Sequence, residues 1–469
     1  MMMNPSNQHM NRCRWMVRCA RILSPLLVMG WVVLLSAMSA NGATPLRELH
    51  GKEHQVPSAK WPTLAIALKA INPGDTLVIR PGIYRERLKL TRPVHLRALS
   101  NAIGSVVIDG GGEGRTIEIF SPGVSIQHLD IRGSGDTMDP ADACVYGHEM
   151  AAGLVIQHNR LSDCAFGIWI NGAPDVQIIA NEISGRAKPI FSDRGNGINL
   201  WQVKRALVQG NRIHTTRDGI LITVSSESRV VANRMWKVRF GIHYMYNDDN
   251  WIEENVTCNS LVGLAMMFSK RLVISRNTVV NNRDHGLFLR SIFDSRIENN
   301  HSQGNHKGLV LNEASYNTIT GNQVANNQTG VEVTGGSEDN RITRNNFLRN
   351  LLQVKYTWRR PQNWDHEKIG NYWSDYLGWD LNRDQRGDLP YYSTNRVDWL
   401  LQRYPQVKLL AASPMVGLMQ LLESRFPVLR PAGVVDRFPS LDPINLGTLN
   451  APDGQMECGE PGSNREGGT

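Results

Sequence analysis

The chain has 469 residues, 41% of them hydrophobic, with 42 glycines and only 7% aromatics. That is ample for a sizeable core, but so much glycine beside so few aromatics is unusual for a layered α/β enzyme. The formal excess of +8 includes Arg12, Arg14, Arg18 and Arg21; without them 47 basic residues face 43 acidic ones, and a nucleic-acid-binding role loses its electrostatic support.

Residues 1–42 read as a signal peptide: four arginines and no acid, then the apolar run "ILSPLLVMGWVVLLSAMSANGA", ending in small residues. An uncleaved anchor is the alternative, because the run approaches the ~20 residues that span a bilayer. Either reading exports the rest of the chain. Cys13 and Cys19 fall in this leader, leaving Cys144, Cys164, Cys258 and Cys458. Cys144 and Cys164 are either a bridge or buried thiols, and no spacing suggests zinc.

An N-terminal cap is expected over 43–75, with Trp61–Asp75 as an amphipathic helix closing the end of a repeat array. From 76 to 357 the chain reads as a parallel β-helix. A glycine followed by alternating apolar residues recurs at Gly167, Gly197, Gly219, Gly241, Gly263, Gly286, Gly308 and Gly330, spaced by 22 or 23 after a first interval of 30. In phase with it runs an asparagine, at 159, 181, 211, 233, 255, 277, 300, 322 and 345. Coils of ~22 residues without helical periodicity fit one turn of a right-handed single-stranded parallel β-helix, whose coils hide their apolar face only by stacking. The asparagines suit a ladder of stacked amides, and the glycines a corner where a Cβ would clash or φ must be positive. Insertions at 132–150 and 185–195 interrupt the array, and such excursions are where binding surfaces tend to lie.

Residues one and three places after each glycine are apolar, so they point inward; those two and four places on must point outward. Ile242, Tyr244, Leu264 and Met266 are thereby core. His243, Met245 and Met267 emerge together, with the two methionines on neighbouring coils about 4.8 Å apart. Two thioethers and an imidazole are a donor set that selects Cu(I) over hard cations. An apolar patch covered by an insertion or a partner satisfies the same pattern.

A C-terminal capping segment follows at 358–395. In it Asp380, Asn382, Asp384 and Asp388 place oxygens at the intervals of a calcium loop, although Tyr391 stands where an EF-hand has its glutamate. A Ca²⁺ clip and a cluster of hydrogen-bonded Asx turns are both open. The segment 396–440 carries a short helix pattern: Ser413 as N-cap, Pro414 first, then Met415, Leu418, Met419, Leu422 and Phe426 on one stripe. That stripe either packs on the end of the solenoid or docks on a membrane-embedded partner. Residues 441–469 read as a disordered Gly/Pro/Glu tail.

The motifs "PGIYRERLKLTRPVHLRA", "GIHYMYNDDN" with "GLAMMFS", "GNYWSDYLGWDLNRDQRGDLPY" and "FPVLRPAGVVD" resemble those of the NosD family of nitrous oxide reductase maturation proteins, over roughly residues 60–440. The resemblance implies an all-β, right-handed parallel β-helix with a helical N-terminal cap and short helices in the C-terminal cap. It also implies a periplasmic, non-catalytic accessory protein, held at the inner membrane by an ABC transporter with a membrane subunit and an ATPase. Its partners would be that transporter, nitrous oxide reductase, whose copper–sulfur centre it helps assemble, and a periplasmic copper chaperone. The calcium-like loop departs from the family, with Asn382 and Gln385 where relatives often have Asp and Gly.

Two other functions fit the fold. A polysaccharide lyase, epimerase or hydrolase needs clustered acids or a base in a groove; Asp248, Asp249, Asp218, His285, Asp139 and Asp142 are the available groups. A surface adhesin explains the coils but not the Met/His pair. No GxxxxGK[ST] loop occurs, so ATP hydrolysis would belong to another chain.

Overall fold

The structure is a computed structural model describing residues 51–102, 104–357, 360–393, 414, 418 and 433–447. The expected signal peptide and most of the expected docking segment and tail lie outside these residues. Three long parallel sheets of 13, 12 and 13 strands run the length of the molecule, and successive strands of one sheet belong to successive coils. This is an all-β, right-handed parallel β-helix.

The inward rows follow the alternation. Ile198, Ile220, Ile242, Leu264, Leu287, Leu309, Val331 and Val354 pair in register from coil to coil, and all are buried. Each coil supplies half of a contact that only its neighbour completes. The repeat glycines serve close approach rather than positive φ. None of them has positive φ; at Gly263 a Cβ would sit 2.5 Å from the Gly286 carbonyl oxygen and 2.6 Å from Val279 Cγ1.

The asparagines form a continuous ladder. From Asn159 to Asn345 each Nδ2 donates to the Oδ1 of the next asparagine at 2.9–3.1 Å, and each backbone N–H donates to that same oxygen. Asn345 hands on to Asn371, and the backbone N–H of Asn371 donates to Asp436 Oδ2 at 2.7 Å. The residue before each rung, from His158 through Ala180, Ala232, Glu254 and Arg276 to Arg344, adopts positive φ. That left-handed residue turns the chain, and the asparagine amide then satisfies backbone groups that the turn leaves unpaired.

The ends differ from the sequence expectation. The helix covers only Leu64–Ala70; Thr63 accepts from the Ile66 N–H and Glu86 from those of Leu64 and Ala65, and Pro73–Gly74 follow soon after its end. The first solenoid strand, Glu53–Val56, lies inside the segment expected as cap and pairs with Thr76–Ile79. Among the described residues of 360–393 and 433–447 there is no helix; a three-stranded sheet of Gln362–Asn363, Val434–Asp436 and Tyr391–Tyr392 stands there instead. Beside it Trp373 stacks between Phe347 and Tyr391 at centroid distances of 4.3 and 4.1 Å. Cys144 and Cys164 form a disulfide.

Two predictions follow from the ladder. Asn277→Ala removes the acceptor of the Asn255 N–H and Nδ2 and the donor to the Ile252 carbonyl. Three buried groups lose partners, at a cost of about 3 kcal/mol or more. A lowered urea midpoint is expected; an unchanged one would show that the amide is replaceable. Asp436 is fully buried, which pushes its carboxyl up to about 6 despite donors from Trp373, Asn371 and Phe438. Its contribution to stability is therefore fully present below about pH 4 and lost as pH rises through about 6. Between pH 4 and 7 the stability of Asp436→Asn relative to wild type should rise by up to about 3 kcal/mol, and a pH-independent difference would contradict the assignment.

Candidate metal-binding face

The site lies on the 12-stranded sheet, where the strands Asp218–Thr223, Phe240–Met245, Val262–Lys270 and His285–Phe293 are consecutive neighbours. Tyr244 and Met266 pair in register and are wholly buried in the core. On the opposite face Met245 pairs with Met267, and His243 with Ala265. Both methionines are half-buried, with Thr223 and Arg290 continuing their row.

This face is less open than alternation alone suggests. Asn199, His243, Ala265, Val310 and Glu332, all in the outward row two places after a glycine, are buried. Side chains in an in-register row stand only about 4.8 Å apart, so bulky members such as Phe288 shield their small neighbours Ala265 and Val310.

His243 is only 8% exposed, and its surroundings define it chemically. Nδ1 lies 3.1 Å from Asp218 Oδ2. Asp218 is wholly buried, and Arg239 grips it with Nε 2.8 Å from Oδ1 and Nη2 2.7 Å from Oδ2. Burial pushes the Asp218 carboxyl up, but hydrogen bonds from His243 and Arg239 and the guanidinium charge outweigh this and hold it below the usual carboxylate range. An ionised carboxylate only accepts, so Nδ1 carries the proton. In the neutral ring Nε2 is then a lone pair, and this atom is buried without any hydrogen-bond partner. The Phe240 ring meets His243 edge-on at 4.9 Å. An imidazole oriented by a carboxylate, with its other nitrogen bare, is the usual state of a metal-ligating histidine.

Asp218 and Arg239 were not visible as part of this site in the sequence. The available signal was that Asp218 occupies a strand position whose register partners are Phe240 and then Val262, so an acid stands in an otherwise apolar column.

The other expected groups are placed as follows. In the acidic loop the Asp384 N–H donates to Asp380 and Asn382, the Gln385 N–H to Asp380, the Arg386 N–H to Asp384 and the Leu381 N–H to Asp388. These carboxylates and the Asn382 amide thus cap backbone N–H groups of their own loop, as Asx turns do. Asp249 is paired with Arg271 at 2.6 Å on an exposed corner, and Asp248 lies 3.6 Å from Lys270. Of the docking stripe, Leu418 is exposed, and Met415, Met419, Leu422 and Phe426 lie outside the described residues.

The fold is thus a parallel β-helix that places His243, Met245 and Met267 on one face of one sheet. A family model described as periplasmic copper-binding protein (NosD) matches residues 179–378, and one described only as a protein of unknown function matches 51–267. A probable ABC transporter binding protein NosD of Pseudomonas aeruginosa is 35% identical over 420 residues, covering 83% of this chain and 97% of the relative. One of the same description from Stutzerimonas stutzeri is 36% identical over 373 residues, covering 76% and 85%. The chain belongs to the NosD family. Among solved structures, a mannuronic acid-specific family 6 polysaccharide lyase from the human gut microbiota matches at 13% identity and a TM-score of 0.45, over 65% of this chain and 91% of that one. The A-module of a mannuronan C-5 epimerase from Azotobacter vinelandii matches at 14% and 0.45, over 63% and 90%.

Proposed function

We propose that this protein is a periplasmic, non-catalytic accessory factor that handles Cu(I) in assembly of the copper–sulfur centre of nitrous oxide reductase, working with an ABC transporter. Copper is cargo in this reading, received from a periplasmic chaperone and passed on, or held while the client docks. The observation that carries it is the buried, unpartnered Nε2 of His243 on the same face as the in-register pair Met245 and Met267. Thioether sulfur and neutral imidazole are the donors that soft Cu(I) takes in low coordination. Asp218 and Arg239 bind no ion; they fix the ring so that its free nitrogen is the one offered. The names of the family and of the relatives support the periplasmic setting, the copper and the transporter.

A polysaccharide-active enzyme fits less well. The buried Nε2 could be met by a single desolvated ion but not by a sugar ring, and Asp248 and Asp249 are tied up in surface ion pairs.

Anaerobic competition against a chromophoric Cu(I) chelator tests the site. Met245→Ala with Met267→Ala should weaken Cu(I) binding by tenfold or more, and Asp218→Asn by 10–100-fold through loss of ring orientation. Unchanged affinity in the double variant would sink the proposed ligand set. Transporter association is tested by excising residues 396–430 and pulling the protein down from membranes. Loss of the transporter subunits is expected if Met415, Leu418, Met419, Leu422 and Phe426 form the docking stripe; full retention would place docking elsewhere.

A further inference from the structure

A second feature lies at the N-terminal end of the same sheet. Between the helix Leu64–Ala70, the strand Leu88–Leu90 and the first insertion there is a cleft of about 800 Å³. Lys69, Arg87, Lys89, Arg92 and Arg115 line it, against two acids, Glu118 and Asp142. Both acids are already engaged. Glu118 Oε1 lies 2.6 Å from Arg115 Nη1 and 3.0 Å from His148 Nε2, and the guanidinium and the imidazole hold this carboxyl below the usual range against its burial. Asp142 accepts the Thr137 N–H at 3.0 Å.

The cations are in contrast poorly neutralised. Arg92 donates only to carbonyls, those of Lys69 and Ile71 at the end of the helix. Arg87 and Lys89 approach carboxylates no closer than 3.7 Å, with side chains 52% and 72% exposed. Like charges gathered in a cleft lower its capacity to stay empty of counter-charge, and their joint potential favours an anionic occupant. Row by row, Glu118, Tyr146, Trp169, Asn199, Leu221 and His243 are register neighbours, so the cleft lies about 24 Å along the sheet from His243.

We infer that this cleft docks an acidic polypeptide segment of a protein partner. Its size is that of a pocket for a large ligand rather than a single oxyanion. Its cations come from three separate elements, and the lysine and Arg87 arms are exposed and adaptable rather than converged on one point. Spaced carboxylates on an extended chain match that distribution. The inference stands whether or not the methionine pair binds copper.

Fluorescence anisotropy with a labelled hexaglutamate peptide tests it, using the full mature chain at two ionic strengths. The wild type should bind the peptide with affinity that falls with added salt. Lys69→Glu with Lys89→Glu, both exposed positions, should weaken binding by tenfold or more, whereas Lys204→Glu with Lys237→Glu, a charge-matched change elsewhere, should change it by less than twofold. Equal weakening by the two double variants would reduce the effect to net charge and overturn the inference. Tighter binding of inorganic phosphate or of oligogalacturonate than of the peptide would overturn it as well.

Discussion

A carboxamide can donate and accept at once, and the coil stack depends on that property of asparagine. Each rung from Asn181 to Asn345 takes two hydrogens on its oxygen and gives its own amide to the rung beyond and to a backbone carbonyl. The left-handed turn before each rung would otherwise strand buried backbone groups, which proteins do not tolerate in number. Because the ladder fixes the axial position of the coils from Asn159 on, it also fixes which of their outward side chains become neighbours. The pairing of Met245 with Met267 is therefore a property of the ladder before it is a property of the methionines.

The polar network around His243 answers to different physics. A wholly buried carboxylate is costly unless opposite charge and hydrogen bonds surround it, and Asp218 has both, from Arg239 and from the imidazole. Within this triad the one buried atom left without a partner is His243 Nε2. Leaving a neutral acceptor bare costs far less than leaving a charge bare, which makes such an atom affordable as an open valence. Orientation by the carboxylate and an open lone pair are compatible here because the two requirements fall on different nitrogens of one ring.

Much of this was legible from spacing. The glycine and asparagine periods specify the coil length, and alternation after each glycine separates Tyr244 and Met266, in the core, from His243, Met245 and Met267. What escaped has a physical reason in each case. The strand Glu53–Val56 carries neither mark, although it pairs in register with Thr76–Ile79. The left-handed residues are mostly not glycine; they are His158, Ala180, Glu254 or Arg276, so the turn is written in the asparagine that follows and not in the residue that bends. Asp218 is 25 residues from His243, and a contact between adjacent coils leaves no local trace. The cationic cleft was hidden in the same way, since its side chains come from separate segments of a chain with little net charge.

The antiparallel pairing of Tyr391–Tyr392 with Val434–Asp436 has a consequence for how the molecule can be divided. Ser393 and Val434 are bonded to each other, N–H to carbonyl at 3.0 Å and Val434 N–H to Ser393 Oγ at 3.0 Å, so the chain leaves the cap and re-enters it at one point. Residues 394–432 connect these two adjacent strands. A chain ended at Arg396 would lose Asp436 with them and leave the backbone N–H of the last rung, Asn371, without its acceptor. An excision closed by a short turn would keep the terminal carboxylate in place. Both ends of that segment thus meet on neighbouring strands, so its removal leaves the coil register and the terminal carboxylate in one chain.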